Sequence, residues 1–228
     1  MKITGRYRIL VLMFTIAMVI FTATRTILLF ESLSELDVTL FLLIKIYAVG
    51  FLFDFATCSY MLIPIILLMI FMPEKLYNSR LSRGSKQVVF FLFLYFMLFY
   101  AFAESVLARD LRGPHHLFFA LIFLLILTII LFIPVSRYIT RTFPALTSFK
   151  QRLCVGILLL FFPLISFFTI DLSLTQISPS NYANELTGNG FYNLGSAIIK
   201  GDIGLRGSRW GGNFPLVMAN LNQEGYEL

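Results

Sequence analysis

The chain contains few charged residues for its length. Asp, Glu, Lys and Arg make up 13% of its 228 residues, whereas a soluble globular domain has about 25%. Hydrophobic residues make up 58% of the chain, and the mean hydropathy is +0.85. This composition excludes an ordinary soluble domain. It predicts an all-α, polytopic membrane protein whose first partner is the phospholipid bilayer.

Cysteine and catalytic signatures are equally scarce. The two cysteines, Cys58 and Cys154, lie inside apolar segments, which argues against a disulfide framework. The chain has no GxSxG elbow, no P-loop and no HExxH motif. Adjacent His115 and His116 project in different directions on a helix, and no nearby spacing completes a tetrahedral metal set. We therefore predict no catalytic residue, no metal site and no cofactor in this chain.

Basic residues exceed acidic ones, and the formal net charge is +6. The basic residues lie in short clusters between apolar runs rather than along a continuous surface. This pattern is typical of signals that orient a membrane protein, and it argues against nucleic acid as a partner.

Long apolar runs define the expected crossings, since a helix needs about 20 apolar residues to span a bilayer. A fifth run, Val38 to Met72, is harder to interpret than the others. As a helix it would be about 52 Å long, so it could form two short crossings or one crossing with an extension. The other four runs are Ile9 to Phe30, Val88 to Ala103, Leu117 to Val135 and Leu153 to Ile170.

Loop charge favours the single crossing. Basic residues occur before the first run, between 75 and 86, and between 137 and 152, whereas the loop from 31 to 37 is acidic. The positive-inside rule can place all three basic segments in the cytoplasm only if Val38 to Met72 crosses once. We therefore predict five spans, with the N-terminus inside, the C-terminus outside and the first span an uncleaved signal anchor. No internal repeat is present.

The predicted organisation has three parts. Residues 1–172 form the five-span domain, residues 173–200 form an extracytoplasmic juxtamembrane linker helix, and residues 201–228 form an irregular tail. The linker contains "NYANELTGNGFYNLGSA" (181–197), a polar stretch with a Gly-Asn-Gly turn. Phe191, Leu194 and Ile198 follow at helical spacing, which predicts an amphipathic helix on the outer membrane surface.

The stretch that contains Phe53-Asp54, Tyr60 and Pro64 and the linker stretch 181–197 together resemble the lipoteichoic acid synthase/phosphoglycerol transferase family of sulfatase-like membrane proteins. "GFLFDFATCSYMLIPIILLMIFMP" (50–73) is similar to the family's second span, with Phe53-Asp54, Tyr60 and Pro64 at the matching places. The linker resembles the family's juxtamembrane segment. The linker residues that carry this resemblance are Asn184, Glu185, Leu186, Gly188, Asn189, Gly190 and Tyr192.

The resemblance implies a bacterial cytoplasmic (inner) membrane protein whose membrane module precedes an extracytoplasmic catalytic domain. In the family, that domain carries a Thr nucleophile and a divalent metal, and transfers glycerophosphate from a phospholipid to an acceptor. None of those residues maps onto this chain. We therefore expect an anchor that presents a lipid headgroup and is inactive without the catalytic domain.

Five charged residues lie toward the outer side in this topology and form a predicted charged collar. They either anchor the spans at the interface or bind an anionic phospholipid headgroup. The second interpretation requires an outer-facing cavity, lined by at least three spans, in which Arg25 and Asp54 lie within reach of each other. Lys45 and Asp54 are half a turn out of phase and are not expected to pair. The collar consists of Arg25, Lys45, Asp54, Glu104 and Arg109.

Two further functions fit the same sequence. Ionisable residues inside apolar runs, above all Lys45 and Asp54, are also found in small transporters and channel subunits. The absence of a repeat and the location of the charges at one side argue against a transporter. A structural protein that assembles with other membrane proteins is the third alternative.

Overall fold

A computed structural model of the chain describes residues 5–33, 36, 38–103, 114–140 and 148–200. In these residues all regular structure is helical. The long helices are α1 (Arg8–Glu31), α2 (Leu40–Phe71), α4 (Arg80–Phe102), α5 (Pro114–Thr140) and α6 (Phe149–Thr169), and the short ones are α3 (Glu74–Tyr77), α7 (Asn181–Thr187) and α8 (Gly190–Lys200). Turns of 3₁₀ helix cover Gly5–Tyr7 and Leu172–Thr175.

Five of these helices are long and apolar enough to cross a membrane. This confirms the predicted all-α class and the number of long apolar helices in the described residues.

Short hydroxylated side chains define several helix starts. The hydroxyls of Thr39, Ser79 and Ser148 accept backbone N–H groups in the first turns of α2, α4 and α6. These contacts satisfy donors that have no partner inside the helix.

The Val38 to Met72 run forms one helix, α2, of 32 residues. This excludes the alternative of two short crossings. At about 1.5 Å per residue α2 is about 48 Å long, so it exceeds a hydrocarbon core of about 30 Å even with substantial tilt. The residues from Leu40 to Phe51 continue the helix without a break.

Helix α2 is the centre of the bundle and packs against α1, α6 and α7. The main core joins α1, α2 and α4 through buried residues such as Met13, Met69 and Phe90. A Cβ added at Gly156 of α6 would lie 2.3 Å from Ile70 Cδ1 on α2. This glycine therefore allows α2 and α6 to approach closely, as small residues commonly do between membrane helices.

The outer faces of the helices are apolar and unprotected by protein. In α5, which packs against α4, only 11% of the most apolar stretch is buried. Exposed side chains such as Phe119, Phe123 and Phe168 belong to the surface that lipid tails would cover. The bundle therefore exposes apolar side chains and buries charged ones such as Arg25 and Asp54, as expected for a protein surrounded by acyl chains.

The long helices alternate in direction, so the bundle has two distinct ends. We call the end at Tyr7, Met72 and Ser148 the basic end. We call the other end, at Glu31, Leu40 and Thr169, the linker end. Residues 173–200, the linker, form two helices rather than the single helix predicted, and both α7 and α8 contact α2.

Cysteine labelling tests the orientation. In a variant without the two native cysteines, we expect Asn181→Cys to react with an impermeant maleimide in intact cells. Asn78→Cys and Ser148→Cys should react only after permeabilisation, because the basic loops stay in the cytoplasm. These three side chains are exposed at the two ends of the bundle. Labelling of Asn78→Cys and not Asn181→Cys in intact cells would reverse the predicted orientation.

Candidate functional site

A buried ion pair joins α1 to α2 at the linker end. Arg25 is 6% exposed and Asp54 is 1% exposed. The guanidinium donates from Nη1 to Asp54 Oδ2 at 2.5 Å and from Nη2 to Asp54 Oδ1 at 3.0 Å. Two parallel donors on one carboxylate fix both position and orientation. The expected proximity of Arg25 and Asp54 is therefore confirmed.

The same guanidinium binds the linker. Arg25 Nε donates to the carbonyl of Leu186 at 2.8 Å, and Nη2 also donates to the carbonyl of Gly188 at 3.0 Å. These carbonyls belong to the end of α7 and to the residue that terminates it. One side chain of the first span thus holds the second span and the segment that follows the last span.

Asn189 completes the contact from the linker side. Its Nδ2 donates to Asp54 Oδ1 at 2.9 Å, and its Oδ1 accepts the backbone N–H groups of Phe191 and Tyr192 at 3.1 and 3.3 Å. The side chain therefore starts α8 and binds Asp54 simultaneously. We call Arg25, Asp54 and Asn189 the linker clamp.

Aromatic side chains surround the linker clamp. The Gly190 N–H donates to Tyr100 Oη at 2.9 Å, and the Tyr100 and Phe191 rings stack with centroids 4.3 Å apart. Tyr192 Oη donates to the carbonyl of Ile170 at 2.5 Å, and its ring contacts Phe53 edge to face. Burial, and secondarily Asp171, raises the pKa of Tyr192, which keeps this hydroxyl protonated as a donor.

Side-chain hydrogen bonds also fold the linker onto itself. Asn184 Oδ1 accepts the backbone N–H groups of Ile177 and Ser178, both at 3.0 Å. Thr187 Oγ1 donates to the carbonyl of Thr175 at 3.0 Å. The linker therefore reaches the linker clamp as a structured element rather than as an extended tether.

A glycine on α2 makes room for the guanidinium. A Cβ added at Gly50 would lie 2.2 Å from Arg25 Cζ. Arg25 could avoid this clash only by moving, and four hydrogen bonds hold it in place. Gly50 is thus part of the site through the space that it leaves.

The rest of the predicted collar does not join this pair in the described structure. Lys45 is half-buried, and its Nζ lies 4.6 Å from the centroid of the Phe41 ring, on its own helix. Glu104 and Arg109 lie outside the described residues, and so do the side chains of His115 and His116. No group of three metal-ligating side chains occurs in the described part of the chain.

The space beside Arg25 and Asp54 is small. Its volume is about 30 Å³, and residues of α1, α2, α4 and the linker line it. A cavity needs about 10–15 Å³ of water-accessible space to hold one water molecule, so this cavity can hold water. Three long helices line the cavity, as expected. The cavity is too small for a phosphate group with its substituents.

The linker residues that carried the family resemblance lie at or next to this site. Glu185 and Gly188 line the small cavity, and Gly188 supplies a carbonyl to Arg25. Gly190 binds Tyr100, Tyr192 binds Ile170, and Asn184 orders the turn before α7.

A larger groove lies between the linker and helices α2 and α6. It has a volume of about 770 Å³ and lies between residues 57–63 of α2, residues 160–167 of α6 and residues 191–196 of α8. Most of its lining is apolar, and its polar groups include Tyr60, Asp171, Tyr192 and Ser196. We call it the lateral groove.

Sequence reasoning missed Asn189, Gly50 and Tyr100 as parts of the site. Asn189 was interpreted as a turn residue, although Asn is also a preferred helix N-cap, and this preference was the available signal. Gly50 and Tyr100 have no comparable local signal, because their roles depend on which helices become neighbours.

Comparison with known protein families, with curated proteins and with solved structures finds no match to this chain. The site is therefore interpreted from its own geometry.

A double-mutant cycle tests whether Arg25 and Asp54 form a compensated buried pair. We expect Arg25→Met and Asp54→Leu each to lower the free energy of unfolding by about 3–5 kcal/mol, because each leaves one buried charge unpaired. The double variant should lose much less than the sum, since no buried charge remains. Reversible unfolding in mixed detergent micelles measures these values. Arg8→Met, at an exposed position of α1, is the control, and additive losses would contradict the pairing.

Proposed function

We propose that this chain is a membrane anchor that holds the segment after its last span in a fixed position, and thereby positions an extracytoplasmic domain at the membrane surface. The observation that carries this proposal is the linker clamp. A single guanidinium, that of Arg25, binds Asp54 of α2 and two backbone carbonyls of the linker.

The electrostatics favour a fixed linker over a loose one. Burying Arg25 and Asp54 costs solvation energy that their mutual attraction offsets only if the remaining donors and acceptors are also bound. In this site the linker supplies these partners through Leu186, Gly188 and Asn189. Release of the linker would leave buried polar groups unsatisfied, which opposes release.

The family resemblance specifies the proposed cargo. It is a domain of the alkaline phosphatase/sulfatase type that transfers glycerophosphate and uses a divalent metal of its own. The proposed location is the bacterial cytoplasmic membrane, with the linker on the outer side. In this proposal the chain itself performs no chemistry.

We place the lipid-presenting part of this function in the lateral groove rather than at Arg25. Four hydrogen bonds occupy the Arg25 guanidinium, and the cavity beside it measures about 30 Å³. The lateral groove measures about 770 Å³ and opens among lipid-facing residues. Its dimensions and apolar lining suit an acyl chain.

The polar groups of the lateral groove suit the head of the same lipid. Asp171 and Tyr192 lie near the linker end, whereas Ile63 and Leu160 lie deeper in the bundle. A glycerol hydroxyl can donate to the Asp171 carboxylate, which also accepts the Ser173 N–H at 2.9 Å. We therefore favour a phospholipid with a hydroxyl-bearing headgroup, such as phosphatidylglycerol.

The transporter alternative gains no support from the described residues. Asp54 is bound to Arg25 and Asn189, and Lys45 lies over a ring of its own helix. These contacts account for two intramembrane charges that had suggested an ion pathway.

Hydrogen exchange tests the anchor. In Arg25→Gln we expect the amides between Ala183 and Tyr192 to exchange at least about tenfold faster than in the unmodified protein. The substitution removes two hydrogen bonds to carbonyls of the linker, and it also removes the cation that pairs with Asp54. Mass spectrometry of the protein in detergent measures this change. The exposed Arg8→Gln is the matched control and should leave these amides unchanged. Unchanged exchange in Arg25→Gln would show that the linker is held by other contacts.

A photoactivatable phosphatidylglycerol tests the lateral groove. Gly195 lines the groove, and a Cβ there meets no atom within 4 Å. We expect Gly195→Phe to occupy the space and to lower crosslinking to α2 and α6 at least about fivefold, because the ring takes the volume of an acyl chain. Gly84→Phe is the matched control, since Gly84 of α4 is equally unobstructed and lies outside the groove. Equal crosslinking in both variants would contradict a lipid in the groove.

A further inference from the structure

Two arginines are buried together at the basic end of the bundle. Arg6 is 0% exposed and Arg152 is 8% exposed. Both donate to one backbone carbonyl, that of Met72 at the end of α2, from Arg6 Nη2 and from Arg152 Nη1, the latter at 2.6 Å. Tyr7 Oη fixes the arrangement by donating to the carbonyl of Arg152 at 2.8 Å.

Some N–H donors of these two guanidiniums form no hydrogen bond. Nε and Nη1 of Arg6 and Nε of Arg152 are buried and have no hydrogen-bond partner. In a folded protein such donors are rare, and a charged donor left unpaired is costly. Three unpartnered donors from two neighbouring side chains indicate an acceptor that the polypeptide does not supply.

Neither arginine forms a salt bridge in the described part of the chain. Among the residues that the structure describes, no carboxylate lies within salt-bridge distance of Arg6 or Arg152. Burial, and after it the charge of Arg152, lower the pKa of Arg6, whereas Tyr77, Tyr7 and Glu74 act in the opposite direction. Two like charges in a buried site favour an anion between them.

The ring of Tyr77 brings a third cation close. Arg6 Cζ lies 4.3 Å from the centroid of this ring, and Lys86 Nζ lies 3.2 Å from it. Lys86 Nζ also donates to the Tyr77 carbonyl at 3.0 Å. Cation–π contacts stabilise positive charge without neutralising it, so the contact with Tyr77 does not neutralise the Arg6 guanidinium.

Capping of α2 does not account for this arrangement. The carbonyl end of a helix carries about half a negative charge, whereas Arg6 and Arg152 bring two full positive charges to it. The Met72 carbonyl oxygen has two lone pairs and accepts one nitrogen from each guanidinium, so it leaves Nε and Nη1 of Arg6 and Nε of Arg152 without an acceptor.

We propose that Arg6 and Arg152 form a binding site for a phosphate-type oxyanion at the basic end of the bundle. Such an anion has several acceptor oxygens and can accept from the three unpartnered nitrogens together. It comes either from the headgroup of an anionic phospholipid or from a soluble phosphate. This site lies at the opposite end from the linker clamp and does not depend on the proposed anchor function.

Binding to the purified full chain tests this site. The probes are dioleoyl phosphatidylglycerol in mixed micelles, dioleoyl phosphatidylcholine as the zwitterionic comparison, and inorganic phosphate. We expect the unmodified protein to bind phosphatidylglycerol or phosphate, and Arg6→Gln and Arg152→Gln each to weaken that binding about tenfold or more. Arg8→Gln and Lys150→Gln remove the same charge at exposed positions two residues away and should change it less than twofold.

The probes distinguish the source of the anion. Binding of phosphatidylglycerol without phosphate identifies a lipid headgroup, and binding of phosphate identifies a soluble anion; either result supports the site. Arg152→Lys keeps the charge but removes Nε, so it should bind more weakly than the unmodified protein while remaining folded. Equal binding of the two lipids without phosphate binding, no binding of any probe, or full affinity in both Gln variants overturns the proposal.

Discussion

The guanidinium of Arg25 and the carboxylate of Asp54 must be neutralised by each other, because both side chains are buried. This requirement sets the spacing of α1 and α2 at the linker end and determines which backbone groups may lie beside them. Gly50 must lack a side chain so that the guanidinium can approach α2. The carbonyls of Leu186 and Gly188 must face inward because the remaining guanidinium donors need acceptors. The position of the linker is therefore a consequence of one electrostatic constraint.

Buried guanidiniums at the two ends of the bundle have different hydrogen-bond partners. At the linker end, protein groups bind almost every donor of Arg25, and the cavity beside it measures only about 30 Å³. At the basic end, two guanidiniums share a single carbonyl and keep three unpartnered nitrogens. In the first arrangement the polypeptide supplies the acceptors, whereas the second leaves buried donors for the proposed anion. This contrast separates a structural ion pair from a binding site within one fold.

Much of the fold could be predicted from the sequence, because each long helix corresponds to an apolar run and loop charge indicated one crossing for Val38 to Met72. The pairing of Arg25 with Asp54 could also be predicted, since both residues interrupt apolar runs near the same end of the bundle. The partners of Arg25 on the linker could not be predicted, because backbone carbonyls such as that of Leu186 have no sequence signal. Arg6 and Arg152 were interpreted as orientation signals. Their burial follows from tertiary packing, which a single sequence does not encode locally.

The order in which the ribosome makes these residues gives the linker clamp a role in biogenesis. Arg25 precedes Asp54 by 29 residues and Leu186 by 161 residues. The arginine therefore enters the bilayer long before its last acceptors exist, and it must be hydrated or bound to Asp54 alone until the final span has been inserted. The linker clamp can therefore form only after the last span and the linker have been made. A chain that stops before α7 would lack the Leu186 and Gly188 carbonyls, so its Arg25 guanidinium would keep unbound donors inside an apolar bundle.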